Sequence, residues 1–334
     1  MLEPLDVVGI GNALVDVLAR VDDAFLAEHG LAKGSMSLID AGQAERLYGV
    51  MGSAVEVSGG SAANTMAGLA SLGAKVAFVG RVADDQLGEV FAHDIRAAGV
   101  SFEPPPTAAG RGSAPTGRCL IAVTPDGQRT MSTLLGASSE LGSDDVDVTL
   151  LAGAGITYLE GYLFDQEPAR EAFHKAAAAA HGAGRRVALT LSDSFCVERF
   201  RAEFLEFIET EAGADIVFAN EDELRLLYET DDADVALSRV QHHCRLVVMT
   251  RGAAGSTVVV EGDRHDVGAE PVARVVDTTG AGDLYAAGFL HGLARGCDPT
   301  TCARLGAVVA GEVISHIGAR PETSLADLVA PLLR

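Results

Sequence analysis

A chain of 334 residues, 48% hydrophobic and 22% charged, can bury one large core, alone or with a smaller companion. Its formal net charge of −22 leaves no broad basic face, which excludes nucleic-acid and anionic-membrane binding from the expected functions. Any anion it binds must find positive potential locally, at helix ends, at a metal ion or at a few Arg side chains.

Asp6 to Ile10 reads as a buried strand. Gly9-x-Gly11 follows with Leu14 in the third position instead of Gly or Ala, which speaks against a dinucleotide-binding turn. Asn12 and Asp16 come just after this strand, at the end where parallel sheets bind ligands. Asn12 could hydrogen-bond a base or a sugar, and Asp16 could accept from both hydroxyls of a vicinal diol. Equally, Asn12 could turn the chain and Asp16 could cap it or face solvent. Val15 to Val57 breaks into short runs, Met36-Ser-Leu-Ile and Ala54-Val-Glu-Val among them.

Gly59-Gly60 precedes a helix read from Ala63 to Leu72. The glycines would let a ligand approach the backbone, and Asn64 can donate and accept toward a hydroxyl. The alternative is a flexible turn and a surface Asn. Lys75 to Val79 reads as the next strand, and Leu87 to Ala98 as a helix closed by Gly99. Thr116 to Leu135 reads as a hairpin turning at Asp126-Gly127. Ile156 to Leu159, Val187 to Leu191, Asp215 to Ala219 and Leu246 to Thr250 read as core strands. Helices Glu167 to His181, Glu198 to Glu211 and Glu221 to Tyr228 lie between them. This alternation predicts a mostly parallel sheet covered by helices on both faces. The segments near 15–58 and 116–135 fit that sheet poorly and predict a small separate one.

A strand-like run, Val272 to Val276, leads to Asp277-Thr278-Thr279-Gly280-Ala281-Gly282-Asp283 and then to a helix-like run, Leu284 to Leu293. Glycines here let backbone N–H groups approach a phosphate at a helix N-terminus, which favours negative charge. Asp283 would repel that phosphate, so it suits binding poorly. It suits taking a proton from a hydroxyl that attacks phosphorus. The plainer alternative is a Gly-rich turn with Asp capping a helix.

The five cysteines, Cys119, Cys196, Cys244, Cys297 and Cys302, are scattered without a CxxC pair, as expected of reduced thiols in a cytoplasm. Met1 to Asp6 carries Glu3 and Asp6 where a secretory signal carries basic residues. No uninterrupted apolar run reaches the roughly 18 residues a membrane span needs.

The string Asp277-Thr-x-Gly-Ala-Gly-Asp283-x-x-x-Ala287-Gly288-Phe289-Leu290 resembles the second signature of the PfkB (ribokinase-like) family of carbohydrate and nucleoside kinases. The similarity runs from Gly9 to about Ala319. Within the family, Gly11-Asn12-x-Leu14-x-Asp16 and the segment Val21 to Leu31 are more similar to adenosine kinases than to ribokinases. One departure is Ala83, in Gly80-Arg-Val-Ala83-Asp84, where the family has a structural Gly.

The resemblance implies a single ribokinase-like α/β domain over 1–334. That is a three-layer sandwich around a mostly parallel sheet, with a small β-sheet lid formed from about 15–58 and 116–135. It implies ATP-dependent phosphorylation of a primary hydroxyl, with the 5′-hydroxyl of adenosine or another purine nucleoside favoured. A ribokinase- or fructokinase-like sugar kinase is the alternative, and a nucleoside-binding protein without turnover a remote one. By the resemblance Asp283 is the base and the amides of Gly280, Ala281 and Gly282 form the anion hole. Arg129, in Asp126-Gly-Gln-Arg129, would clamp phosphates, and Asp16, Gly59, Gly60 and Asn64, with Asn12, would hold the sugar. Met36, Leu38, Leu134, Tyr162, Leu163 and Phe164 could wall a purine. Asn220 and Glu223 match the family's Asn-x-x-Glu, which organises Mg²⁺ through water; alone they could simply complement a helix dipole. Thr250 and Gly252, with Thr278, would bind the nucleotide, and Gly306 to Ala310 would lie near its base. ATP and Mg²⁺ are the implied cofactors. A monovalent cation such as K⁺, and the choice between monomer and homodimer, stay open.

Overall fold

Val76–Val79 is buried at every residue, and Leu246–Thr250 at all but its last. A strand with both faces apolar can sit only between two layers of helices. In the computed structural model, which describes residues 4–104 and 114–333, such strands form the centre of a nine-stranded sheet. Met1 to Glu3, part of the acidic opening discussed above, lie outside the described residues.

The sheet runs, edge to edge, Asp263–Val267, Ser256–Val260, Leu246–Thr250, Ile216–Asn220, Arg186–Thr190, Ala154–Glu160, Leu5–Ile10, Val76–Val79, Ser101–Phe102. The first two form an antiparallel hairpin, and Ser256–Val260 also runs antiparallel to Leu246–Thr250; the remaining neighbours pair in parallel. Alternate strand residues feed two cores, Val7 and Tyr158 on one face and Val8 and Leu159 on the other. Helices Ser61–Ser71, Gln86–Ala97, Ala281–Ala294 and Pro299–Val313 supply the first core. Helices Glu167–Gly182, Arg201–Glu209, Glu221–Tyr228 and Ala233–Val240 supply the second.

A second, five-stranded sheet has the order Met36–Leu38, Arg129–Leu134, Gly117–Val123, Leu14–Arg20, Ala54–Gly59. Its strands come from the two segments that fit the parallel sheet poorly.

Two expectations need correction, and one hairpin is added. Val272 to Val276 pairs with no strand among the described residues. The hairpin Ser256–Val260/Asp263–Val267 takes that edge of the sheet, and the Val276 N–H goes to the carbonyl of Ile314 at 2.8 Å. This hairpin was not anticipated, although its turn residues Glu261 and Gly262 both have positive φ (50° and 96°), as a two-residue hairpin favours. The helix expected over Glu198 to Glu211 is two helices, Ser194–Arg199 and Arg201–Glu209, broken at Phe200. It starts earlier because the Asp193 side chain caps it, accepting from the Cys196 N–H at 2.7 Å.

Candidate active site

Two helices open side by side at the carboxyl ends of the parallel strands. Ser61–Ser71 starts from Gly60, whose φ is +96° and whose absent Cβ would overlap the Asn12 carbonyl oxygen. Ala281–Ala294 starts from Gly280, left-handed at φ +77°; a Cβ there would lie 2.6 Å from that of Ala319. The helices pack closely, Gly68 against Leu284 and Ala287, and Thr65 Oγ1 donates to the Asp283 carbonyl at 3.2 Å.

Asp283 lies in the first turn of the second helix and is held by the first. Its Oδ1 accepts from Ser61 Oγ at 2.6 Å, and its Oδ2 from Asn64 Nδ2 at 2.9 Å. Burial raises its pKa, against the hydrogen bonds from Ser61 and Asn64 and the charge of Arg320.

A cavity of about 400 Å³ opens at this junction. Asn12, Asp16, Met36, Leu38, Gly60, Asn64, Tyr162, Thr278, Gly280, Ala281, Gly282 and Asp283 line it. Asn12 and Asn64, 3% and 5% exposed, each keep a buried Oδ1 with no hydrogen-bond partner among the described residues. Burial pushes Asp16 up to about 6, opposed by Arg320 and Arg129 and reinforced by Asp283. Gly59 lies outside the lining, against the Asp16 carboxylate, where a Cβ would come within 2.5 Å.

Leu134, Leu163 and Phe164 do not form walls. Met131, Thr133 and Leu135 face the cavity, so Leu134 between them faces away. Leu163 and Phe164 are 1% and 2% exposed and belong to the second core, with Phe164 stacked on Phe204 at 4.1 Å. The exposed aromatic wall is Phe195, which follows the carboxyl end of Arg186–Thr190 and was not singled out in the sequence.

Arg129 reaches across from the small sheet. It pairs with Asp277 and donates to Thr279 Oγ1 at 3.1 Å, beside the Gly280 turn. Asp277 also accepts from the backbone N–H of Gly318 at 2.8 Å and of Thr279 at 3.1 Å. Arg320, unnoticed in the sequence, donates to the carbonyls of Ser58 and Ala63, and its charge acts on Asp16 and Asp283. These two guanidiniums, that of Arg199 in the cavity lining and the helix N-termini supply the local positive potential that a strongly acidic chain needs.

Asn220, Glu223, Thr250 and Gly252 lie outside the cavity lining. Asn220 and Thr250 end adjacent parallel strands in register, and Gly252 turns after the second, at φ +53°. Asn220 and Glu223 form a capping box. The Glu223 carboxylate accepts from Asn220 Nδ2 at 2.6 Å and from its N–H at 2.9 Å. Burial pushes Glu223 up to about 7 against that backbone donation, and its neighbours Asp193 and Asp222 push the same way as burial. Among the described residues no group of three or more His, Cys, Asp or Glu side chains converges to hold a metal ion directly.

A helix N-terminus with an exposed Gly282, a carboxylate in its first turn and a cavity rich in acceptors make the arrangement that a phosphotransferase with an alcohol as acceptor needs. Residues 37–325 match the family described as pfkB family carbohydrate kinase, and the chain belongs to that family. It is similar to the solved adenosine kinase from Sinorhizobium meliloti: 52% identity, 98% of this chain and 99% of that one, TM-score 0.90. The probable sugar kinase from Rhizobium etli CFN 42 is 47% identical over 99% of this chain and 100% of its own, with TM-score 0.90. A 5-dehydro-2-deoxygluconokinase from Shouchella clausii is 30% identical over 81% of this chain and 85% of its own length. The protein is therefore a nucleoside or sugar kinase, and its family implies ATP and usually Mg²⁺. Among the described residues no helix is long and apolar enough to cross a membrane.

Proposed function

We propose that this kinase phosphorylates the 5′-hydroxyl of a purine nucleoside, adenosine above all, giving the nucleoside monophosphate. The observation that carries this reading is the division of the cavity. One part presents the acceptors Asn12 Oδ1, Asn64 Oδ1 and the Asp16 carboxylate; the other presents Met36, Leu38, Tyr162 and Phe195. The acceptors suit sugar hydroxyls, and the apolar groups suit a flat base that a free sugar lacks. The 52% identity to an adenosine kinase supports the same reading.

In this reading Asp16 and Asn64 take the ribose hydroxyls, with Gly59 leaving room for the Asp16 carboxylate and Gly60 for the Asn12 backbone. Asp283 takes the proton of the attacking 5′-hydroxyl. Ser61 and Asn64 keep its carboxylate aimed, and its raised pKa makes it a better proton acceptor. The amide of Gly282, beyond the left-handed Gly280, faces the charge on the transferring phosphoryl group, and the Ala281 N–H beside it donates to the Thr278 carbonyl at 3.2 Å. Arg129, which pairs with Asp277 and Thr279 beside the Gly280 turn, clamps the phosphates of ATP, and the small sheet acts as a lid excluding water. Thr250, Gly252 and Thr278 hold the nucleotide. Glu223, with Asn220, fits Mg²⁺ through water, which when bound neutralises phosphate charge.

A second reading, a sugar kinase, is favoured by the acceptors alone, which fit any polyol, and by the two sugar-kinase relatives. Turnover of adenosine, inosine, ribose, fructose and 5-dehydro-2-deoxygluconate with ATP separates the two. The nucleoside reading expects adenosine to show the highest kcat/KM. A free sugar or keto-deoxy acid ahead of every nucleoside would replace it with the second reading.

A further inference from the structure

The most deeply buried carboxylate of the cavity wall has no role in the catalytic scheme above. Glu160 ends the strand Ala154–Glu160, is 1% exposed and lines the cavity. Its Oε1 accepts from the Asn12 N–H at 3.2 Å and from Asn12 Nδ2 at 2.8 Å. Its Oε2 accepts from the Ala62 N–H at 2.8 Å, inside the first turn of Ser61–Ser71. The neighbouring chain makes room, since a Cβ on Gly11 would overlap Oε2. Burial pushes Glu160 up to about 7, opposed by the donations from Ala62 and Asn12, and Asp283 is the charge that faces it.

An ionised carboxylate only accepts, whereas a carboxamide has one donating end and one accepting end. Whichever end Glu160 takes, the other is left for the ligand. Here it takes the donating end, and Asn12 Oδ1 is the buried atom without a partner. We propose that Glu160 is a positioning residue that sets substrate specificity. It holds the Asn12 carboxamide with its oxygen free for the ligand, so the site demands a hydrogen-bond donor there, a sugar hydroxyl of the acceptor substrate. An analogue lacking that hydroxyl leaves a buried acceptor unpaired, and sites of this kind reject such analogues strongly. The inference rests on the cavity being the acceptor site, and holds whether the acceptor is a nucleoside or a sugar.

Glu160→Gln inverts the pattern. A Gln whose oxygen serves the Ala62 N–H turns its amine to Asn12, and Asn12 then turns its own oxygen to Gln and its amine to the ligand. The experiment compares kcat and KM for the better acceptor, nucleoside or sugar, and for its monodeoxy analogues. In the wild type, removing the hydroxyl that meets Asn12 should cost about 10- to 100-fold in kcat/KM. In Glu160→Gln the KM for the parent acceptor should rise about tenfold with kcat within about threefold, and the deoxy penalty should disappear. Adding Asn12→Asp restores an accepting oxygen on both sides and should recover both the KM and the penalty. Should the single variant fail to fold, the paired variant decides, because it must discriminate as the wild type does. An unchanged deoxy penalty in Glu160→Gln, or no recovery in the paired variant, overturns the proposal. A free sugar outperforming adenosine overturns only the purine reading, and the monodeoxy sugars then become the panel.

Discussion

Two helix N-termini open on the same cavity, and they are finished differently. The first turn of Ser61–Ser71 is closed from inside the protein, with the Ala62 N–H satisfied by Glu160. The first turn of Ala281–Ala294 receives no carboxylate cap among the described residues, and its Ala281 N–H goes to the Thr278 carbonyl at 3.2 Å. Gly282 is exposed, a Cβ there would meet nothing within 4 Å, and the only acid of that turn, Asp283, points its carboxylate to Ser61 and Asn64. A helix end filled by the protein's own carboxylate is a fixed wall for a neutral ligand. A helix end left open is reserved for an anion from outside. The contrast separates a place that holds the acceptor from a place that receives the phosphoryl group.

The contrast breaks if the glycines of the two turns respond alike. Gly60→Ala forces a methyl onto the Asn12 carbonyl at φ +96°, and should cost on the order of 3 kcal/mol of stability in thermal or denaturant unfolding. Gly282→Ala should leave the melting temperature within a degree or two and lower kcat about tenfold, by crowding the phosphate. Similar stability losses in both would erase the distinction.

Asp16→Ala sharpens the acceptor side. It removes an acceptor of two hydroxyls, and calorimetry should show acceptor binding weaker by about 2 kcal/mol, with nucleotide binding unchanged. The smallest effect is the pH dependence. Burial raises Asp16 to about 6, so it protonates at higher pH than a free Asp and loses accepting capacity as pH falls. Between pH 7.5 and 5.5 its ionised fraction drops about fourfold, and the KM for the acceptor should rise by that factor. Asp16→Asn, with no titrating group at that position, should lose the step near pH 6; a step that persists belongs to another group.

Much of this was legible in the chain. The parallel strands were visible because burial on both faces makes them continuous apolar runs, as in Val187 to Leu191. The Asp277-to-Asp283 stretch was visible because its glycines and its second acid are close in sequence. Facing was harder to read. Leu134 misses the cavity by one position in a strand of period two, and Leu163 and Phe164 fall into the core behind Tyr162. Glu160 and Arg320 were hidden because their roles depend on partners 148 and 262 residues away. A lone charge ending an apolar strand, as in Ile156-Thr-Tyr-Leu-Glu160, was the one available signal for the first.

Asp283→Asn, assayed for turnover and for ligand binding together, tests the reserved helix end most directly. Asn can keep both contacts, its oxygen accepting from Asn64 and its amine donating to the Ser61 hydroxyl. It cannot take a proton, and it no longer repels phosphate. We predict kcat lower by about 100-fold or more, acceptor Kd within about threefold, and a non-hydrolysable ATP analogue bound as well as before or more tightly. Turnover close to wild type, or loss of both ligands together, would contradict the assignment of Asp283 as the base beside an open anion site.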